Sequence, residues 1–329
     1  MAEGEGAAWR AAEAADAAAG PEGQAPLAPP LSAGLVQAPA LASRSLGGAG
    51  EGQESPAADA SGGGVVRRVD EDRWLASRFA PPAVRQSLET LYGFGYEVAR
   101  TAEVVSEPAL GHIRLAWWRD AVSGGPGGAN GLPAAFKALI DDIPLDTERV
   151  IALIEARAHD LEAEPFEGWA ELEAYVDATA GGMAYLALQI CLAGQPWPKQ
   201  AADCARAVGR AWGFTGLMRA SGVWAARRRT FLPQRLLTHL NLKPEAVFAG
   251  GGAHVIQQAR LAMLDRARFA YQQAKDLARV MPVAAFPAIG YVALEPSYRT
   301  LLMAGDDATS VSLFKRQAKL LAASALGRF

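Results

Sequence analysis

Three features of this 329-residue chain predict an all-α fold, one compact bundle of nine or ten helices without a sheet. From residue 65 onward, apolar residues recur at three- and four-residue spacing with very little strict alternation, the period of a helix and not of a strand. Prolines stand where such helices would begin or stop, as at Pro81, Pro82 and Pro108. Residues 1–64 lack the pattern. They are built from Ala, Gly, Pro, Ser and Glu, and beyond Met1 their only large apolar residues are Trp9, Leu27, Leu31, Leu35, Val36, Leu41 and Leu46.

That first stretch buries too little apolar surface to offset the entropy of ordering, so residues 1–64 are expected to be a disordered tail and 65–329 the folded domain. The tail holds eight acids and two bases, a net of −6, against −3 for the whole chain, which leaves the folded part about +3. Within it, Ala76–Val105 reads as a long helical run, with Leu88, Leu91, Tyr92, Gly95, Val98 and Ala99 on one face. A second helix follows from Leu110 to Val122, offering Ile113, Trp117 and Trp118 for packing. The run Gly124–Gly131 is a loop by composition. Further helices are expected at Pro133–Ile140, Asp146–Leu161 (capped by Asp146), Trp169–Cys191, Gln200–Ala226, Ala253–Val280, Ala284–Met303 and Val311–Leu326. Asp141 and Asp142 look like a metal motif only by letter count. Pro144 keeps the acids at 141, 142 and 146 from stacking on one helical face, so a polar loop is expected there.

Composition excludes several classes. Cys191 and Cys204 give neither a disulfide framework nor a zinc pattern, and His112, His159, His239 and His254 lack metal-ligand spacing. The tail has no apolar core after a basic start and is too acidic for a mitochondrial presequence. No stretch reaches the roughly 20 apolar residues of a membrane span; the best, Val280–Leu294, is interrupted by Pro282 and Pro287. Nucleic acid is not an expected partner, because the folded part is barely basic and carries no recognised motif.

The most informative chemistry is a deficit. From Cys204 through Pro244 there is no Asp or Glu, yet seven arginines and one lysine occur, including Arg219, Arg227 and Arg229. Mg²⁺ takes oxygen ligands, and an arginine cannot replace one, although it can hold an anion directly. The charge pattern favours an anion-facing surface, whether a phosphate or an anionic membrane.

Three segments carry a family resemblance. They are Leu91–Glu103 with Arg114-Leu115-Ala116-Trp117-Trp118-Arg119-Asp120, then Tyr175–Gly182, then Arg219–Pro233 ending in Arg229-Thr230-Phe231-Leu232-Pro233. In order and spacing they resemble the squalene/phytoene synthase family over roughly residues 70–305. The resemblance implies an isoprenoid-synthase-like helical bundle around a central cavity. It also implies two facing aspartate-rich motifs that hold Mg²⁺ on prenyl diphosphates. Here the first motif is reduced to Ala99, Arg100 and Glu103, and the second has Ala220 and Trp224 where acids would stand.

With Glu97-Val98-Ala99-Arg100 and Val105-Ser106-Glu107-Pro108, the chain is most similar to a subgroup that includes bacterial proteins and a mitochondrial assembly factor for respiratory complex I. The expectation is therefore a non-catalytic, cytoplasmic protein peripheral on the inner membrane. It would use no cofactor, could hold an isoprenoid or lipid in its cavity, and would partner an anionic membrane surface and respiratory complex subunits. The inherited pocket positions are Tyr92, Glu97, Arg100, Glu103, Glu107, Arg114, Tyr175, Asp177, Arg219, Arg227 and Arg229. The rival expectation is an active head-to-head prenyl-diphosphate transferase, with Glu103, Glu107 and Asp177 as substitute Mg²⁺ ligands. A structural reading is favoured for Glu97, Glu103 and Glu107, solvated or paired with a neighbour such as Arg100 or Arg114, and pairing with a core arginine alone would explain Asp177.

Overall fold

Asp70 accepts, through Oδ1, the backbone N–H of Arg73 at 3.4 Å, which caps a helix that periodicity alone did not reveal. The computed structural model describes residues 63–125, 131–249, 253–305 and 310–327. These all fall within one compact unit. The tail expected over 1–64 lies outside the described residues, except that Gly63 and Gly64 begin helix α1 (Gly63–Val69). The capped helix is α2 (Glu71–Ser77).

The run expected over Ala76–Val105 is not one helix. Pro81 and Pro82 restart the chain as α3 (Pro82–Ala99), Arg100 interrupts it, and a single turn, α4 (Thr101–Val104), ends at extended Val105. Pro108 then begins α5 (Pro108–Val122). Helix α6 (Gly131–Asp142) extends through Asp141, which pairs with Lys137 at 2.7 Å, so the two aspartates form its last turn and not a loop. Asp146 caps α7 (Thr147–Ala156) as expected, and a 3₁₀ turn over Arg157–Leu161 follows.

Helices α8 (Trp169–Val176) and α9 (Gly182–Cys191) are joined by a π turn at Asp177–Gly181. The Gln200–Ala226 run is divided at Ala220 into α10 (Ala201–Arg219) and α11 (Ser221–Ala226). Short helices α12 (Gln234–His239) and α13 (Pro244–Phe248) precede the long α14 (Ala253–Ala278). The apolar Val280–Leu294 stretch is broken into 3₁₀ turns around α15 (Phe286–Ile289) and is buried almost throughout from Ala285 onward. Helices α16 (Glu295–Met303) and α17 (Leu313–Leu326) complete the fold. Among the described residues there is no strand, and no helix is long and apolar enough to cross a membrane.

Helix α10 is central because it contributes to both apolar clusters. Val208 and Trp212 lie with Leu88, Leu91 and Phe94 of α3 and Leu186 of α9. Phe214 and Leu217 lie with Tyr175, Trp224, Phe231 and Met263. Its Gly209 faces the π turn so closely that a methyl group there would stand 2.7 Å from the Ala180 carbonyl carbon and nearer still to Gly181. The Trp117–Trp118 pair divides: Trp118 is buried edge-on to Phe94 at 5.3 Å, while Trp117 is 40% exposed.

Candidate functional site

The carboxy-terminal end of α3 and the facing turns of α5 bring together Glu97, Arg100 and Arg114. Glu97 accepts from Arg114 Nη2 at 2.7 Å and from Arg100 Nη1 at 3.2 Å, so its carboxylate is held between two guanidinium groups. Arg100 also lies over the Tyr96 ring at 5.3 Å. Glu103 and Glu107 do not share a helical face, because the chain is extended at Val105 and again at Glu107. Glu103 is half-buried, Glu107 is exposed, and neither forms an ion pair with a described residue.

Tyr92 belongs to another environment. It is buried beside Arg73, whose guanidinium lies 5.6 Å from its ring and 4.9 Å from that of Tyr291. Arg73 is itself 1% exposed and is paired with Asp70 at 2.7 Å. Loss of hydration holds the Tyr92 hydroxyl well above the ordinary phenol range.

Asp177 is half-buried and not in the core, and its nearest partner is Arg210, with Arg206 at 3.9 Å. The guanidinium Nε and Nη2 donate to the two carboxylate oxygens at 2.7 and 2.8 Å, a bidentate pair. Arg210 also holds Glu173 at 2.9 Å, and Glu173 in turn pairs with Arg266, which stacks over Trp169 at 4.0 Å. A carboxylate with both oxygens engaged this way has little to offer a metal.

Tyr175 and Arg229 meet at the 3₁₀ turn. The Tyr175 hydroxyl donates to Asp160 Oδ1 at 3.2 Å, Arg157 lies 3.4 Å from Oδ2, and Arg229 Nη2 donates to the His159 carbonyl at 2.6 Å. The His159 ring stacks on Phe166 at 3.9 Å. Burial raises the Asp160 carboxyl to about 6 despite Arg157 and Arg229, and burial with the Arg229 charge lowers His159 to about 4.

Arg219 stacks on the Tyr298 ring at 4.0 Å, with Asp72 Oδ2 at 3.9 Å. Buried Asp72 also accepts from the Tyr298 hydroxyl at 2.6 Å and from Arg316 at 2.9 Å. The acid-free stretch thus finds its acids on other elements: Arg210 at Asp177, Arg219 at Asp72, and Arg235 at Glu167. Arg227 and Arg228 remain exposed where α11 ends, Arg227 at 5.6 Å from the Trp224 ring and Arg228 in left-handed backbone at φ +57°.

Sequence reasoning missed Asp72, Arg73, Asp160, Tyr298 and Arg316. The one available signal, the surplus of arginines in 204–244, points only to an acid such as Asp72 facing them from elsewhere in the chain.

The donors do not suit Mg²⁺. Ala99, Ala220 and Trp224 contribute no side-chain oxygen, and Ala220 and Trp224 are buried at 0% and 3% exposure. Among the described residues no three His, Cys, Asp or Glu side chains are grouped to hold a metal ion.

Residues 66–322 match the family model described as squalene/phytoene synthase. The chain is 25% identical over 261 residues to NADH dehydrogenase (ubiquinone) complex I, assembly factor 6 of Bos taurus, covering 78% of this chain and 77% of the relative. It is 26% identical over 254 residues to phytoene synthase 2, chloroplastic, of Solanum lycopersicum, covering 73% and 78%. A crystal structure of a dehydrosqualene synthase in complex with ligand superposes with a TM-score of 0.67 at 15% identity, over 80% of this chain and 94% of that one. Identity does not separate assembly factor from synthase. The residues of the site have to.

Proposed function

We propose that this chain, which belongs to the squalene/phytoene synthase family, no longer transfers prenyl groups and serves as an assembly factor for a respiratory NADH dehydrogenase, attached peripherally to the membrane. One observation carries this: the Glu97 carboxylate, in the segment where the family holds its first metal motif, is occupied by Arg100 and Arg114. A departing diphosphate needs its charge neutralised, and metal does this in the working enzymes that the family resemblance implies. Guanidinium groups here neutralise the protein's own carboxylates instead. The relatives named complex I assembly factor 6 support the assembly role. The apolar interior that comes with the fold is where an isoprenoid or lipid tail would lie.

The test has two arms. Purified protein incubated with farnesyl or geranylgeranyl diphosphate and Mg²⁺ is expected to release no diphosphate above the protein-free rate. In the native host, deleting the gene is expected to deplete assembled NADH dehydrogenase on native gels, and both the wild type and Glu103→Gln should restore it. Mg²⁺-dependent diphosphate release that disappears in Glu103→Gln would instead establish a transferase.

A further inference from the structure

Helix α17 is fixed on one side and, among the described residues, unpartnered on the other. Leu320 and Ala323 are buried, and Arg316 reaches Asp72 at 2.9 Å and also pairs with Glu71, so the helix is anchored to α2 and the core. Turned away from these, Phe314, Ala318, Leu321 and Ala325 recur at the spacing of one helical face, and all four are exposed. Phe314 is 80% and Leu321 61% exposed, an arrangement that leaves two large apolar side chains in water on a rigidly held helix.

Charge decides what covers this face. From Val311 to Phe329 the sequence has four cations (Lys315, Arg316, Lys319, Arg328) and no acid. Lys315 and Lys319 are one turn apart along the edge of the apolar stripe, a like-charge pair that repels. Neither forms an ion pair with a described residue; buried Glu295 attracts Lys319 from a distance, while Lys315 repels it. A helix with Phe and Leu on one face and lysines beside it suits the interface of an anionic bilayer, where the rings enter the acyl boundary and the ammonium groups meet headgroup phosphates.

We infer that α17 is the element by which this protein docks on an anionic lipid surface, through Phe314 and Leu321 with Lys315 and Lys319. The proposal rests on the membrane-peripheral reading above for the existence of such a surface, and adds which part of the chain meets it.

Vesicle sedimentation of the full chain tests it, using phosphatidylglycerol–phosphatidylcholine vesicles against pure phosphatidylcholine. The wild type is expected to pellet with the anionic vesicles and to be released by high salt. Phe314→Ser/Leu321→Ser should weaken partitioning about tenfold or more. Lys315→Glu/Lys319→Glu should abolish the preference for anionic vesicles. Because all four side chains are exposed, melting temperatures should stay unchanged, and Val280→Ser/Val283→Ser, exposed elsewhere, should bind like the wild type.

A wild type that stays in the supernatant, or α17 variants that pellet as well as it does, would overturn the proposal. So would light scattering showing a dimer that Phe314→Ser/Leu321→Ser dissolves, since a second copy would then occupy the face. Vesicle binding through α17 in a chain dispensable for NADH dehydrogenase assembly would sink the proposed function and leave this inference standing. The reverse pattern, assembly retained without vesicle binding, would sink this inference alone.

Discussion

Nη2 of Arg114 lies 2.7 Å from Oε2 of Glu97, a pair that joins α3 to α5 across seventeen residues. Both side chains are only partly exposed, so the pair is less screened by water than an open surface contact and gives up less hydration than a fully buried one. Glu97→Gln is expected to cost about 1 kcal/mol in urea unfolding, and Arg114→Ala a similar amount. A double-mutant cycle should give a coupling well above zero, and additive losses would show that the contact is not a clasp.

Ala220 sits fully buried between α10 and α11. An aspartate introduced there does not create a metal site, because Ala99 and Trp224 offer no carboxylate beside it. Ala220→Asp is expected to destabilise by about 3 kcal/mol or more, the cost of a buried carboxylate without a dedicated partner. Thermal unfolding reads this directly. An unchanged melting temperature that rises further with Mg²⁺ would mean that one added acid suffices to seat the cation, against the donor set described above.

Gly209 and Gly181 allow α10 to press against the π turn that carries Asp177. Gly209→Ala must push backbone against backbone, which no rotamer change relieves. A loss of about 2 kcal/mol or more is expected in denaturant unfolding. Ala at Gly222, which has open space around it, should cost far less.

The pair Asp160 and His159 makes a pH prediction with opposing signs. The folded value of Asp160, about 6, lies above its ordinary 3.8, so its contribution to stability is fully present below about pH 4 and is lost as pH rises through 6. The folded value of His159, about 4, lies below its ordinary 6.5, so its contribution is present above 6.5 and is lost as pH falls through 4. Each spans on the order of 3 kcal/mol, and together they largely cancel across pH 4–6.5. In Asp160→Asn only the histidine contribution remains. The stability of this variant relative to the wild type should therefore climb by about 3 kcal/mol from pH 4 to 6.5, measured by urea unfolding at each pH. A flat difference would remove Asp160 from the balance.

The helices were legible where apolar periodicity was long and uninterrupted, as in α10, α14 and α17. They were misjudged where a local event divides the run: Arg100 between α3 and α4, Ala220 between α10 and α11, and the π turn at Asp177. Such breaks follow from how neighbouring helices pack, which a periodic pattern does not record. Helices α1 and α2 were overlooked because they are only seven residues each, too short to establish a period. The candidate site was legible as a set of residue types. The pairing of Glu97 with Arg100 and Arg114 was among the readings of the sequence, whereas the engagement of Arg219 with Asp72 and Tyr298 was not.

By itself the sequence determined that this chain folds as helices, because periodicity runs along the chain, and its family resemblance implied metal motifs of which only the Glu103 carboxylate is kept. Only the tertiary structure decided where the surplus arginines go. Arg210, Arg219 and Arg229 turn inward to a carboxylate, a tyrosine ring and a backbone carbonyl supplied from elsewhere in the chain. The physical reason is that a half-buried guanidinium must find an acceptor or an aromatic face, and which one comes within about 3–6 Å is set by helix packing, not by neighbours in sequence.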